Sequence, residues 1–408
     1  LQWLLSRWTS QEVLWQRLRA MTSDSPQQKL NPQILLANFE QAAQAAQAAE
    51  NSAQAALSST AAITPLETTN RQGSLRVGNL REILDQGQRN LSGIPVPSGT
   101  DQLSTEIARR WTQANRVSRL MERLDPSLFA QPEVQFVRAA LLRGCEQPAE
   151  ASEIYRRFFG FDEGVTPWNL AARGEIWVTA RGAMSPKPVL RCQRAEVPPV
   201  LDGLLNDSCW AAASEVELTV EDSATDESDP NFVGSRTFNA ANPDSLRRAP
   251  GGAAEAAIVM LSYDDKYLYL AGSVPRSPTG TTTPVKYAGR QHDTDLATFD
   301  RLRFAFDIDR DYTTWYRFDV DQRGATSEAL WDDSHWNPQW FVAADAGPEH
   351  WRIEVAIPLE ELTPKPPSRG DVWAAGITRV IPAEAIQGWT HPARLEPQGE
   401  TFGLVQFD

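Results

Sequence analysis

Asp300-Arg-Leu-Arg-Phe-Ala-Phe-Asp-Ile-Asp-Arg-Asp311 is the stretch on which the fold turns. Leu302, Phe304, Phe306 and Ile308 alternate with polar or small residues, the period-2 pattern of a strand with one face in a core. The acidic tip Asp307–Asp311 reverses the chain, and Thr314–Val320 comes next as a second strand with Tyr316, Phe318 and Val320 on one side. Asp321-Gln-Arg-Gly324 reads as the next turn. An aromatic loop comes after it, Trp331-Asp-Asp-Ser-His-Trp-Asn-Pro-Gln-Trp340, and then a further alternating strand, Trp351–Pro358. A recognition site is sought here first.

Working outward, 408 residues suit two or three domains, and 41% hydrophobic with 23% charged residues is ordinary for a globular chain. No apolar run approaches the ~18 residues of a membrane span. The net charge of −14 is uneven: residues 1–189 carry 20 basic against 18 acidic groups, and residues 190–408 carry 19 against 35. The acidic second half repels phosphate, which argues against nucleic acid and suits cations or uncharged ligands. Leu1–Trp8 lacks the basic start and apolar core of a signal peptide, so the chain reads as a mature form or a fragment. Its three cysteines form no C-x-x-C pair, which argues against zinc and dithiol redox sites.

The first half reads as all-α. Residues 1–100 hold two helical segments and a hinge. Asn31-Pro32 starts a long helix in which Leu35, Phe39, Ala42, Ala46, Ala49, Ala53 and Ala56 form a heptad seam made largely of alanine. Such a seam suits a partner helix, although a surface helix rich in alanine gives the same pattern. Residues 101–183 form a second helical unit, with helix starts expected at Pro132, Pro148 and Pro167. The first and last of these prolines lie 35 residues apart, near the ~34 of a tetratricopeptide unit. The segment 132–183 accordingly resembles a tetratricopeptide-like helix pair with one further helix. Nothing in this half points to catalysis; the expected job is docking to a protein partner or holding the second domain away from something.

Residues 184–191, with Pro186 and Pro188, read as a linker. The most diagnostic string of the chain begins directly after it, Cys192-Gln-Arg-Ala-Glu-Val-Pro-Pro-Val-Leu-Asp202-Gly203-Leu-Leu-Asn-Asp-Ser-Cys-Trp210. It resembles the opening of family 9 carbohydrate-binding modules and their relatives, with hallmark P-x-I-D-G-x-L-D-D-x-W. Val259–Leu270 with the Asp264-Asp265 turn, Asp300–Asp309, the W-x-x-E-x-x-I-P strand Trp351–Pro358, Val372–Arg379 and Phe402–Phe407 keep to that family in order. The resemblance covers about 192–408 and implies a β-sandwich of antiparallel sheets. The fold class is thus multidomain α and β, an all-α first half followed by an antiparallel sandwich.

The resemblance implies sugar binding through tryptophan faces. One family position falls at Leu296-Ala297-Thr298, which has no tryptophan; the other offers Trp389. Trp331, Trp336 and Trp340, with Asp333 and Asn337 between them, are expected to substitute as a stacking platform, the alternative being that these aromatics plug one end of the sandwich. Asp307, Asp309 and Asp311 have D-x-D-x-D spacing, which aims alternate carboxylates at a hard cation such as the structural calcium of family members; a solvated acidic turn is the alternative. In this context Cys192 and Cys209 are expected to form a disulfide closing a loop of 16 residues, worth about 3 kcal/mol, or else to be two buried thiols. A disulfide implies an oxidising, extracytoplasmic compartment, periplasmic, cell-surface or secreted. A related branch of the superfamily binds haem, but Met260 has no lysine or histidine beside it on its strand, and no organic cofactor is expected. H-E-x-x-H, G-x-S-x-G and Walker motifs are absent. The sequence therefore predicts a non-catalytic extracytoplasmic glycan-binding protein with a helical interaction region. The rival readings are a structural subunit of an envelope or extracellular assembly and a haem-binding electron-transfer domain.

Overall fold

The computed structural model describes residues 10–13, 15–16, 19, 100–144, 147–160, 165–180, 184–220, 255–277, 294–331 and 333–408, with the side chains of 100–108 outside that description. The alanine seam, the hinge, Cys145, His292 and Asp332 lie outside the described residues.

Among the described residues, 11–13, 15–16 and 19 are helical, and from Thr100 onward the helices before the sheet are α1 (Thr100–Leu124), α2 (Pro126–Phe129), α3 (Pro132–Gly144), α4 (Pro148–Arg156) and α5 (Pro167–Ala180). The last three begin at the expected prolines, where a missing N–H costs nothing. Thr166 caps α5: its hydroxyl accepts from the Asn169 N–H at 3.2 Å, and the Asn169 side chain accepts from the Thr166 N–H at 2.9 Å. Small α6 (Ser208–Ala212) and α7 (Leu359–Leu362) interrupt the β region.

Among the described residues the β region contains twelve strands: β1 (Val189–Arg194), β2 (Glu215–Val220), β3 (Ala257–Tyr263), β4 (Tyr267–Pro275), β5 (Arg301–Asp307), β6 (Tyr316–Asp321), β7 (Thr326–Leu330), β8 (Phe341–Ala346), β9 (His350–Pro358), β10 (Val372–Ile381), β11 (Ala385–Gly388) and β12 (Gly403–Phe407). Their order is β7-β6-β5-β10-β11-β2-β3-β4-β9-β8, with β12 on β10 and β1 bridging β12 to β3. The path folds over between β10 and β3. It therefore makes two facing layers, one centred on β5, β6 and β10 and the other on β3, β4 and β9. Most pairings are antiparallel, as expected, but β1 runs parallel to both β12 and β3. The linker is accordingly shorter than its prolines suggest, because Val189 and Leu190 already belong to β1.

Strand alternation decides what the layers enclose. Leu302, Phe304, Phe306, Tyr316, Phe318 and Val320 point inward against Val259, Leu261, Leu270, Ile353 and Val355. On the opposite side of β5 and β10 the small Ala305 and Ala374 leave room for helices. Phe136, Ala139, Leu142, Tyr155, Ala171 and Ala172 pack there with Tyr312, Val372, Phe402 and Leu404. The Phe136 and Tyr312 rings meet edge-on at 5.4 Å. A helical half expected to reach toward a partner thus shares a buried core with the sandwich.

Cys192 and Cys209 are both free and buried, which corrects the expected disulfide. Cys192 on β1 faces the core between the layers, whereas Cys209 on α6 lies in a separate cluster with Trp210, Met260 and Tyr269 on the outer side of β3 and β4. Side chains on opposite faces of a sheet cannot be bridged at disulfide distances.

Candidate functional site

The family-like opening string and the W-x-x-E strand meet at one carboxylate. Glu354 is fully buried on β9. Its Oε2 accepts from the Asp202 and Gly203 N–H groups at 2.9 and 2.7 Å, and its Oε1 accepts from Trp210 Nε1 at 2.7 Å. The Asp202-Gly203 turn needs its glycine: φ is +81°, and a Cβ there would lie 2.8 Å from the Asp345 backbone nitrogen. The motif residues thus fasten the opening loop over β9.

The aromatic loop takes the second of its two expected roles. Trp336 and Trp340 are 9% and 3% exposed and belong to the inter-layer core. Trp336 lies 4.8 Å from the Tyr316 ring, and Trp340 lies 5.0 Å from the Phe318 ring. Trp331 and Trp389 are half-buried and pack against the same core, the Trp389 ring lying over Gly403, where a Cβ would meet it at 2.6 Å. Trp336 and Trp340 thus pack against Tyr316 and Phe318, and Trp389 against Gly403 of β12, as expected of aromatics that plug the sandwich. Asp333 and Asn337 are exposed. Met260 lies among Trp210, Tyr269 and Ala356.

The acidic tip between β5 and β6 is buried, not a solvated turn, and it gains a carboxylate from nearly three hundred residues away. Glu12, Asp307 and Asp309 each bring a carboxylate oxygen within 4.8 Å of the others. Asp311 stands beside them. Glu12 Oε1 accepts from the Ile308 N–H at 2.6 Å, Asp309 Oδ2 from the Gln11 N–H at 2.8 Å, Asp307 Oδ2 from the Tyr312 N–H at 2.8 Å, and Asp311 Oδ1 from the Thr313 and Thr314 N–H groups at 2.7 Å each. Burial raises all four carboxyls above their usual range, with mutual repulsion adding to Glu12, Asp307 and Asp311; Asp311 reaches about 8. The donor set is all oxygen, which suits a hard cation.

Neighbouring cations are largely committed elsewhere. Arg143 from α3 and Arg310 from the tip both bind Glu175 on α5, at 2.7 and 2.8 Å, and Tyr312 donates to the same carboxylate at 2.9 Å. Burial opposes ionisation of Glu175, but the two guanidiniums outweigh it and hold its pKa below the usual value. Lys187 lies 5.0 Å from the Tyr312 ring centroid and donates to the Glu400 carbonyl at 2.7 Å; burial lowers its pKa to about 7.

Sequence reasoning missed Glu12 and the segment around it. Val13 enters the inter-layer core, Trp15 Nε1 donates to the Glu360 carbonyl at 3.0 Å, and Arg19 pairs with Glu361 through both nitrogens. The available signal was the Ser10-x-Glu12 start before Val13 and Trp15, which also opens any amphipathic helix.

No protein-family model and no curated protein matches the chain. Solved structures similar to it include a family 9 carbohydrate-binding module from Caldicellulosiruptor kristjanssonii in complex with cellotriose, at 15% identity, over 54% of this chain and 93% of that one, with a TM-score of 0.35. The glucose complex of a family 9 module from the same organism matches at 15% identity over 53% and 95%, also at 0.35. A Bacteroides uniformis protein matches at 10% identity over 54% of this chain and all of that one, at 0.37. No described helix is long and apolar enough to cross a membrane.

Proposed function

We propose that this chain is a non-catalytic, extracytoplasmic carbohydrate-binding protein whose helical half is held to its sandwich by a hard cation, calcium being the best fit. The carrying observation is the Glu354 joint: the Asp202-Gly203 turn, Trp210 and Glu354, which the family-9 resemblance singles out separately, meet in one buried hydrogen-bonded unit. The net negative charge of the second half favours a neutral glycan over an anionic one. Calcium is supported by the chemistry of Glu12, Asp307, Asp309 and Asp311, four buried carboxyls beside committed cations. When bound, the ion supplies the positive charge that this group lacks, while Glu12 ties the N-terminal segment to the tip. Screening the intact chain on an array of neutral and anionic glycans tests the reading. Binding confined to neutral glycans supports it, and no binding across the array contradicts it.

One observation favours the structural-subunit reading instead. The four tryptophans expected to bind sugar serve the core, and the helical half shares buried ion pairs with the sandwich, as in a rigid assembly component. A stable homo-oligomer or co-purifying envelope partner, together with a blank glycan array, would establish that alternative.

A further inference from the structure

Once the tryptophans are assigned to the core, the aromatic surface left to solvent is small. Among the described residues Phe341 is the only exposed aromatic, at 46%. It is the first residue of β8, immediately after the loop where the sequence places the platform. In the register, Ala356 of β9 lies between Phe341 of β8 and Tyr269 of β4. The small Ala356 leaves space between the two aromatic columns, and half-buried Tyr267 reaches across it. Its ring centroid is 6.3 Å from Phe341 on one side and 5.9 Å from Tyr269 on the other, the latter pair stacked at 30°. Asp264 fixes the inner end, accepting from the Tyr269 hydroxyl at 2.7 Å and from the Tyr267 N–H at 2.8 Å. Phe341 is thus held by an edge-on contact at 66° to a Tyr267 ring that is itself fixed on buried Tyr269, rather than standing as one loose side chain.

Its surroundings select a ligand class. β8 ends the strand order, so alternate N–H and C=O groups along Phe341–Ala346 turn away from β9. Asp202, Asp333 and Glu349 are exposed on flanking segments. One exposed ring, a strand edge that no further strand pairs with among the described residues, and acidic neighbours suit a ring with apolar C–H faces and hydroxyl edges, and repel a polyanion.

We infer that the corner of the sandwich where β8 starts beside Tyr267, left open by the loop that covers the rest of this outer face, presents Phe341 as the stacking ring for a neutral glycan chain. The inference rests on the carbohydrate-binding reading and gives it a location. Phe341 supplies the exposed ring face, Tyr267 braces that ring edge-on, and the β8 edge hydrogen-bonds hydroxyl groups.

The test is affinity electrophoresis of the intact chain in native gels containing neutral polysaccharides (β-glucan, xylan, mannan), with F341A, F341W and Y267F compared with L395A. Leu395 is exposed and apolar but lies in the loop after β11. The expected result is retardation of the parent, L395A, Y267F and F341W, with affinity lowered about tenfold in F341A, the loss of one aromatic contact. Thermal midpoints of the variants should match the parent, because Phe341 is on the surface. A parent that is retarded with F341A retarded equally overturns the platform and leaves the carbohydrate reading standing. A parent that no polysaccharide retards overturns both. Sedimentation of a dimer that F341A dissociates assigns the face to a second copy through β8 pairing, and also overturns the proposal.

Discussion

Glu354→Ala should destabilise the sandwich far more than an average surface change. The alanine leaves three donors without an acceptor: the Asp202 and Gly203 N–H groups and Trp210 Nε1, now held at 2.7–2.9 Å. An orphaned buried donor costs roughly 1–3 kcal/mol, and because the opening loop can relax, the three together should cost about 3–5 kcal/mol. For a domain of this size that lowers the melting temperature by about 8–15 °C. Glu354→Gln should lie between parent and alanine, since its carbonyl oxygen serves the two backbone donors while its NH2 faces the indole N–H. Trp210→Phe removes only one donor and should cost about 1 kcal/mol through this contact. Scanning calorimetry of the single variants and of the Glu354→Ala/Trp210→Phe pair measures the coupling. A fall of under 2 °C in Glu354→Ala, or strict additivity in the pair, would refute the idea that this carboxylate fastens the loop.

The acidic joint and the core carry further expectations. Without divalent cation, the raised carboxyls bind more protons folded than unfolded, so their contribution to stability falls as pH rises from about 4 toward Asp311's folded value of about 8. Thermal melts in EGTA should show that decline, and calcium should reverse it above pH 7; melts insensitive to calcium count against the ion. Glu12→Gln should lower calcium affinity in calorimetry and increase proteolysis ahead of Ser10–Arg19, whereas unchanged values would detach Glu12 from the cluster. Glu175→Gln strips the partner from Arg143 and Arg310 and should cost about 3–5 kcal/mol, read by urea unfolding. Trp336→Ala should cost about 3–5 kcal/mol as a core cavity; a stability-neutral Trp336→Ala that abolishes glycan binding would restore the loop as the site.

Where strands alternate strongly the sequence was sufficient. Leu302–Ile308 and Tyr316–Val320 read correctly because each second residue is large and apolar, and a slip of one would expose them all. The helix starts at Pro132, Pro148 and Pro167 were legible for a similarly local reason. The candidate sites depended on tertiary facts. Trp336 and Trp340 look alike as platform or plug until Tyr316 and Phe318 are known to face them. Cys192 and Cys209 are near in sequence, but β1 turns one thiol inward while α6 lies on the outer side. Glu12 reaches Ile308 only through the folded chain, and Phe341 gains meaning only when Ala356 and Tyr267 lie next to it in the register.

Carbohydrate recognition is the central claim, and titration calorimetry of the intact, calcium-loaded chain with neutral gluco-, xylo- and manno-oligosaccharides tests it most directly. Saturable one-site binding to at least one series is expected, weakened in Phe341→Ala. Flat titrations in all three series, from a chain that melts cooperatively, would contradict it.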